Sequence, residues 1–239
     1  MTEIFNTLLI QPLFNILIFI YNFIPLHDLG LSVIILTIII RLLISPLSLK
    51  AVRSQRALTV LQPKIKEIQE KHKGDAQKQN EEVMKLYKES KTNPFSGCLP
   101  LLIQLPIFIA LFQILKGLGD SNQFASLYSF IEQPTNMSTS FLGILDLAKK
   151  SSVLAVLAGV FQFIQSKMMA SLTPKTNNTK KGGQAEEMTK MMTKQMTYMM
   201  PIMLVFIYWN LPSVLSLYWI VITIFSIGEQ YYINKKIKI

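Results

Sequence analysis

Long apolar runs alternate with polar or basic segments along most of this chain of 239 residues. A helix needs about 20 predominantly apolar residues to cross the hydrocarbon of a bilayer, and several of the runs approach that length. Half of all residues are hydrophobic, which favours a membrane protein over a soluble domain. The pattern therefore predicts an all-α integral membrane protein with five transmembrane helices.

Breaks in the pattern divide the chain into ten segments. In chain order these are an amphipathic interfacial helix (1–27), a first transmembrane helix (28–52), a cytosolic helical hairpin (53–92), a second transmembrane helix (93–117), an extracytoplasmic loop (118–149), a third transmembrane helix (150–170), a cytosolic loop (171–195), a fourth (196–211) and a fifth transmembrane helix (212–233), and a basic cytosolic tail (234–239). Pro46 lies near the end of the first transmembrane helix, where we expect a kink or a break.

The N-terminal run is amphipathic. Thr7, Gln11, Asn15 and Asn22 follow each other at steps of four, four and seven, which places them on one face of a helix. Apolar residues occupy most of the remaining surface. This pattern is typical of a helix lying at the membrane surface, but the run is also long enough to span the membrane, and both interpretations stay open here.

Basic residues are concentrated in three segments. Residues 50–91, 167–194 and 235–238 hold 20 of the 24 Lys and Arg residues. If the spans alternate, all three segments lie on one side, and the positive-inside rule assigns that side to the cytosol. We therefore expect the N-terminus outside and the C-terminus in the cytosol of a bacterial cell membrane. A spanning N-terminal helix would move only the N-terminus inside.

The cytosolic hairpin predicted at 53–92 has apolar residues at helical spacing on each arm, separated by Gly74-Asp75. Such a face usually serves intramolecular packing. The exposed basic face could also contact anionic lipid or ribosomal RNA.

The sequence contains no pattern typical of an enzyme or of a metal or cofactor site. His27 and His72 are far apart and on opposite predicted sides, and Cys98 is the only cysteine. There is no Cys/His ligand cluster and no glycine-rich phosphate loop. No Lys or His lies in the middle of a predicted span to activate a serine, so an intramembrane protease is disfavoured. We expect no catalytic residues, no cofactor and no metal.

Arg41 is a charged residue near the middle of the first predicted span. Such a charge is costly and usually faces a protein interior or a water-filled cavity. It could snorkel to the interface, or it could pair with an acid. The acids near span ends, Asp28 and Glu229, are not at its expected depth. We therefore favour a hydrated cavity lined by Arg41 and by Thr37, one turn away.

Other spans offer polar residues that could complete the lining. Each alone is more often a helix–helix hydrogen bond than a cavity wall, but together with an unpaired arginine they favour a cavity. These residues are Gln104, Gln162, Gln165, Ser216, Tyr218, Trp219 and Thr223.

The order of several short motifs resembles the YidC-type membrane protein insertases, which have relatives in mitochondria and chloroplasts. The motifs are Thr37-Ile-Ile-Ile-Arg41-Leu-Leu-Ile-Ser-Pro46-Leu, Leu61-Gln62-Pro63, Asn93-Pro94, Gly97-Cys98-Leu99-Pro100-Leu-Leu-Ile-Gln104-Leu-Pro106-Ile-Phe, Met199-Met200-Pro201 and Leu217-Tyr218-Trp219. The resemblance extends from about Gln11 to the end of the chain.

The resemblance implies five spans around a hydrophilic groove open to the cytosol and to lipid, a surface N-terminal helix and a mobile cytosolic hairpin. It assigns the groove arginine to Arg41 and the groove threonine to Thr37. It also places Gln162 and Trp219, with the adjacent Tyr218, at groove positions.

The resemblance also implies a function and partners. The function is insertion, folding and assembly of integral membrane proteins. The partners are nascent membrane proteins, the ribosome, the Sec translocon, signal recognition particle components and anionic lipids, with a monomer as the functional unit. We expect only weak ribosome tethering through the short tail. Alternatives are a small-solute transporter or channel and a purely structural assembly factor; the first is disfavoured because the sequence has no inverted repeats or mid-membrane acids.

Overall fold

The chain folds almost entirely into helices. The computed structural model describes residues 2–90, 92–93, 99–118, 121–135, 137–170, 191 and 194–236. The helices are α1 (Thr2–Phe5, a π-helical segment Asn6–Ile10, and Gln11–Phe23), α2 (Leu29–Lys71), α3 (Ala76–Glu89), α4 (Leu99–Gly117), α5 (Ser121–Phe124), α6 (Ser152–Ala170), α7 (a π-helical segment Gln195–Met199 and Met200–Trp209) and α8 (Ser213–Lys236). A two-stranded antiparallel sheet pairs β1 (Ser140–Phe141) with β2 (Leu145–Asp146).

Four of the described helices are long and apolar enough to cross a membrane, namely α1, α2, α6 and α8. Two shorter apolar segments, Leu102–Gly117 in α4 and Gln195–Trp209 in α7, accompany them. The prediction of a mainly helical, multi-pass membrane protein is confirmed at this level. The number five and the surface position of α1 stay predictions, because length and composition do not decide them.

Helix α2 is continuous over 43 residues. The break considered at Pro46 is therefore wrong: the helix runs through Pro46 and Pro63 and forms the first arm of the predicted hairpin. Gly74, with φ of +97°, turns the chain, and the Asp75 carboxylate then caps α3 by accepting a hydrogen bond from the backbone N–H of Lys78 at 3.0 Å. The hairpin is thus an extension of the first long apolar helix.

The polar face of α1 contacts the long loop between α4 and α6. The side-chain amides of Gln11 and Asn15 both donate to the carbonyl oxygen of Ser126 at 3.1 Å. Further along, the amide of Asn22 donates to the carbonyl oxygen of Glu132 at 2.7 Å. The face that the sequence pattern picked out is therefore occupied by protein backbone.

The same loop holds the first turns of α2 and α8 together. Asp28 caps α2 by accepting from the N–H of Leu31 at 2.8 Å, and its second oxygen accepts from the N–H of Leu142 at 2.5 Å. The N–H of Val214 donates to the carbonyl of the fully buried Leu147 at 3.1 Å. One end of the helix bundle is therefore closed by hydrogen-bonded loop.

Side chains in the loop also fix its own turn. The hydroxyl of Thr139 donates to Asp146 at 2.8 Å, and the N–H of Ala148 donates to the same oxygen at 3.1 Å. These two hydrogen bonds, the first of them the stronger influence, lower the pKa of the exposed Asp146 carboxyl below its ordinary value.

Helix α8 lies at the centre of the bundle and packs along α2 on one side and α6 on the other. The buried core joins α1, α2, α4, α6, α7 and α8 in one cluster. The seam between α2 and α8 is where the charged residue of the first span is found.

Some predicted segments lie outside the described residues. They are most of the cytosolic loop 171–195, the entry 94–98 into α4, and the tail residues 237–239.

Candidate functional site

The guanidinium of Arg41 is directed across the seam at α8. Its Nη2 atom donates to the hydroxyl oxygen of Ser226 at 2.6 Å and to the backbone carbonyl of Ile222 at 3.3 Å. The side chain is half-buried, and among the described residues its Nε atom is buried without a hydrogen-bond partner. Both hydrogen bonds are made to α8, so this geometry differs from that of an arginine snorkelling along its own helix.

A small, partly open pocket of about 10 Å³ lies beside Arg41. Its wall combines two polar groups besides the arginine with apolar side chains from α2 and α4. The lining residues are Arg41, Ile44, Leu47, Ser48, Ala51, Ile103 and Gln104. We call this space the Arg41 pocket. A polar pocket of this size has room for about one water molecule, which needs two to four polar partners.

A carboxylate lies one helical turn from the Arg41 contact. Glu229 follows Ser226 by one turn on α8 and is near enough to act electrostatically on the guanidinium. The expectation that no acid lies at the membrane depth of Arg41 stays a prediction. The two groups nevertheless form no ion pair within 4 Å in the described structure, because serines of α2 hold the carboxylate.

Two interhelical hydrogen bonds connect further predicted groove residues to α8. The amide of Gln104 on α4 donates to the hydroxyl of the buried Tyr218 at 2.5 Å. The indole N–H of Trp219 donates to the amide oxygen of Gln162 on α6 at 3.0 Å. Because both bonds join two helices, they also serve packing, which is the ordinary role of such residues in a bundle.

Two predicted residues stand apart from this arrangement. Thr37 is 1% exposed and its hydroxyl donates to the carbonyl of Val33 in its own helix at 2.6 Å, so it does not line the Arg41 pocket. Gln165 is half-buried one turn beyond Gln162, and in the described structure it makes no hydrogen bond with the other predicted groove residues. Of all the residues predicted to line the cavity, only Arg41 and Gln104 line the pocket.

Three polar residues of this seam were not predicted as site residues: Ser45, Ser48 and Ser226. Glu229 was named only as an acid near a span end. A signal for the first two was available, since Arg41, Ser45 and Ser48 recur at steps of four and three on one face of α2. The same argument pairs Ser226 with Glu229 on α8. The pairing of the two stripes, however, is a property of the tertiary structure.

No group of three or more metal-ligating His, Cys, Asp or Glu residues occurs within the described ranges. The site as described offers one cation, one carboxylate, hydroxyls and amides. This set can bind a charged or polar chain segment by hydrogen bonds and electrostatics.

The chain is similar in sequence to known membrane proteins. The family model described as 60Kd inner membrane protein matches residues 19–239. A Membrane protein insertase YidC from Syntrophobacter fumaroxidans is 34% identical over 96% of this chain, and one from Syntrophus aciditrophicus is 37% identical over 95%. The chain spans only 38% and 36% of the length of these two relatives. A protein of the same name from Clostridium tetani is 36% identical over 86% of this chain, and the match covers 81% of that relative.

Proposed function

The chain belongs to the 60Kd inner membrane protein family, which includes the YidC insertases, and we propose that it inserts, folds and assembles integral membrane proteins. The observation that carries the proposal is a half-buried arginine beside an open, partly polar pocket at a seam between two apolar helices. Such a site could bind the polar segment of a substrate within the membrane while the apolar segment of the same substrate enters the lipid.

The energetics of insertion fit a protein without an energy source. A span of about 20 apolar residues gains roughly 0.3–0.6 kcal/mol per residue at the membrane centre, while one acidic residue costs about 3 kcal/mol there. The substrate's own burial therefore supplies the driving force. The protein's task is to lower the barrier for the hydrophilic flank, and Arg41 with hydrated neighbours would reduce its desolvation cost.

The proposed groove is formed by five transmembrane helices, α2, α4, α6, α7 and α8, and is lined by Arg41, Gln104, Gln162, Gln165, Tyr218 and Trp219. It would be open to the cytosol and lipid and closed to the outside. The loop between α4 and α6 supports this, because it holds Asp28 and Val214 at the first turns of α2 and α8. A substrate flank would then leave the groove sideways or through a transient opening.

For α1 we propose a surface position. The α4–α6 loop follows it from Gln11 to Asn22, which is about 16 Å of helix at 1.5 Å per residue. Irregular backbone exposed to lipid is not tolerated in the hydrocarbon, where its polar groups lack partners. A helix accompanied by such a loop over three turns is more easily placed at the interface than across the bilayer.

The orientation and partners belong to the same proposal. By the positive-inside rule, the basic segments favour a C-terminus in the cytosol and, with α1 at the surface, an N-terminus outside a bacterial cell membrane. The family resemblance points to nascent membrane proteins, the ribosome, the Sec translocon, signal recognition particle components and anionic lipids as partners. The resemblance also points to a monomer as the working unit.

Site-specific photocrosslinking to a stalled nascent membrane protein tests the proposal. Probes at Ile44 and Ile103, which line the Arg41 pocket, should crosslink to the polar flank of the nascent chain. A probe at Leu43, which is 75% exposed on the neighbouring face of α2, is the matched control and should crosslink to that flank much less. Equal crosslinking from Leu43 and Ile44, or none from the pocket, would contradict the proposed path.

A further inference from the structure

The carboxylate of Glu229 is held by two serine hydroxyls of α2. Ser45 donates to one carboxylate oxygen at 2.7 Å and Ser48 donates to the other at 2.9 Å. Ser48 is buried and lines the Arg41 pocket, so the carboxylate contacts one residue of the pocket wall, although Glu229 is not itself a lining residue. Hydrogen bonds to an ionised carboxylate are roughly twice as strong as those between neutral groups, so this position is well defined.

The contacts of Arg41 and of Glu229 follow one another along the seam between α2 and α8. Arg41 contacts Ser226, and one turn further along both helices Ser45 and Ser48 contact Glu229. In the described structure the opposite charges lie close enough to interact but are kept from direct pairing. A pair that only stabilised the two helices would gain most from direct contact. The serines instead leave the arginine with one hydroxyl, one carbonyl and an unpartnered Nε atom.

We propose that Glu229 sets the charge specificity of the groove. This inference rests on the proposed insertase function. With Glu229 held one turn away, the guanidinium attracts an acidic flank but less strongly than an isolated arginine would. A basic flank, which Arg41 repels, is attracted by Glu229. The pair thus broadens the range of flanks that the groove accepts, at the expense of affinity for the acidic ones.

Two variants separate the charge of Glu229 from its role as a contact between helices. Glu229→Gln removes the charge but keeps the shape and an oxygen that accepts from a serine. The double variant Ser45→Ala/Ser48→Ala keeps the charge and removes both hydroxyls, which frees the carboxylate to pair with Arg41. If Glu229 acts through its charge, the two variants should change the insertion rate of substrates with acidic flanks in opposite directions. If Glu229 acts only as a contact between helices, both variants should change that rate in the same direction.

The experiment uses the full chain in proteoliposomes and three single-span substrates that differ only in a two-residue flank, Asp-Asp, Gln-Gln or Lys-Lys. Rates are normalised to the Gln-Gln substrate measured with the same variant. For Glu229→Gln, we expect the acidic ratio to rise and the basic ratio to fall, each on the order of three- to tenfold, since the charges are close but partly hydrated. For the double serine variant, we expect the acidic ratio to fall.

The inference would be overturned if the acidic ratio equals that of the wild type in both variants, or if it changes in the same direction in both variants. Thermal unfolding in detergent identifies a variant that has lost its fold. If the wild-type chain inserts none of the substrates, the proposed function fails, and binding of the same three flanks as fluorescent peptides to the protein in nanodiscs still tests Glu229. There the same opposite shifts in Kd are expected, and identical Kd ratios in wild type and variants would refute its role.

Discussion

Replacing Arg41 with alanine removes the cation of the pocket and is expected to slow insertion of spans with acidic flanks. A carboxylate 4 Å from the guanidinium gains about 4 kcal/mol at an effective permittivity of 20. Arg41 is only half-buried, and Glu229 offsets part of its field. We therefore discount the gain to about 1.5–3 kcal/mol, which corresponds to a rate loss of roughly 10- to 100-fold.

Arg41→Lys should retain most of the rate, for a reason that the geometry supplies. Both hydrogen bonds of the guanidinium, to Ser226 and to the carbonyl of Ile222, come from the single atom Nη2. One ammonium group can make both. The Nε atom has no partner in the described structure, so its loss leaves no acceptor unsatisfied.

The assay is insertion of a single-span substrate with an Asp-Asp flank into proteoliposomes, followed by protease protection. Leu42→Ala is the matched control, since Leu42 is the next residue, is 59% exposed and is absent from the pocket wall. The double variant Arg41→Ala/Glu229→Gln tests whether an uncompensated carboxylate causes the defect. If Arg41→Ala inserts the acidic substrate at the rate of Leu42→Ala, the electrostatic argument is refuted.

Two further predictions concern the closed end of the bundle. Asn15→Ala removes a side chain that donates to the carbonyl of Ser126 and accepts from the N–H of Tyr128, so amide hydrogen exchange in the loop should accelerate about five- to thirtyfold; exchange unchanged relative to Thr7→Ala would contradict this. Because the pKa of Asp146 is lower in the folded protein, its contribution to stability is present above about pH 4 and is lost as the pH falls through the folded value. Thr139→Val should move that pKa upwards in an NMR titration, and no movement would contradict the assigned cause.

The long helices follow from the apolar runs alone, because a run of that length has few other ways to satisfy its backbone in a membrane. Pro46 shows where such local reasoning fails. A proline removes one hydrogen bond of the helix, yet α2 continues through it. Packing along α8 on both sides of Pro46 supports the helix there, and the sequence does not reveal that contact.

The polar face of α1 was predicted from spacing, but its partner was not. Spacing identifies a set of residues that need hydrogen-bond partners. Lipid headgroups and a protein loop can both provide such partners. The loop carbonyl of Ser126 that accepts from Asn15 is 111 residues away in sequence. Only a folded chain brings the two together.

At the site, too, the sequence predicts which residues are unusual but not which residues they contact. Arg41 stood out because a charge in an apolar run is costly. Glu229 was recognised as an acid near a span end, but its contacts with Ser45 and Ser48 were not predicted, because they depend on how α2 and α8 are aligned along their axes. Thr37 was expected to face the cavity, whereas its hydroxyl bonds to Val33 within its own helix. Hydroxyls have this local alternative, which spacing does not exclude.

Helix α2 is a single body of 43 residues. At 1.5 Å per residue it measures about 65 Å, roughly twice the thickness of the hydrocarbon. A force on the hairpin arm near Ile65 is therefore transmitted to Arg41 along one continuous helix. The helix bends most easily at Pro46 and Pro63, which lack a backbone donor. Pro46 lies between Ile65 and Arg41, so the helix that transmits the force can also bend between these two residues.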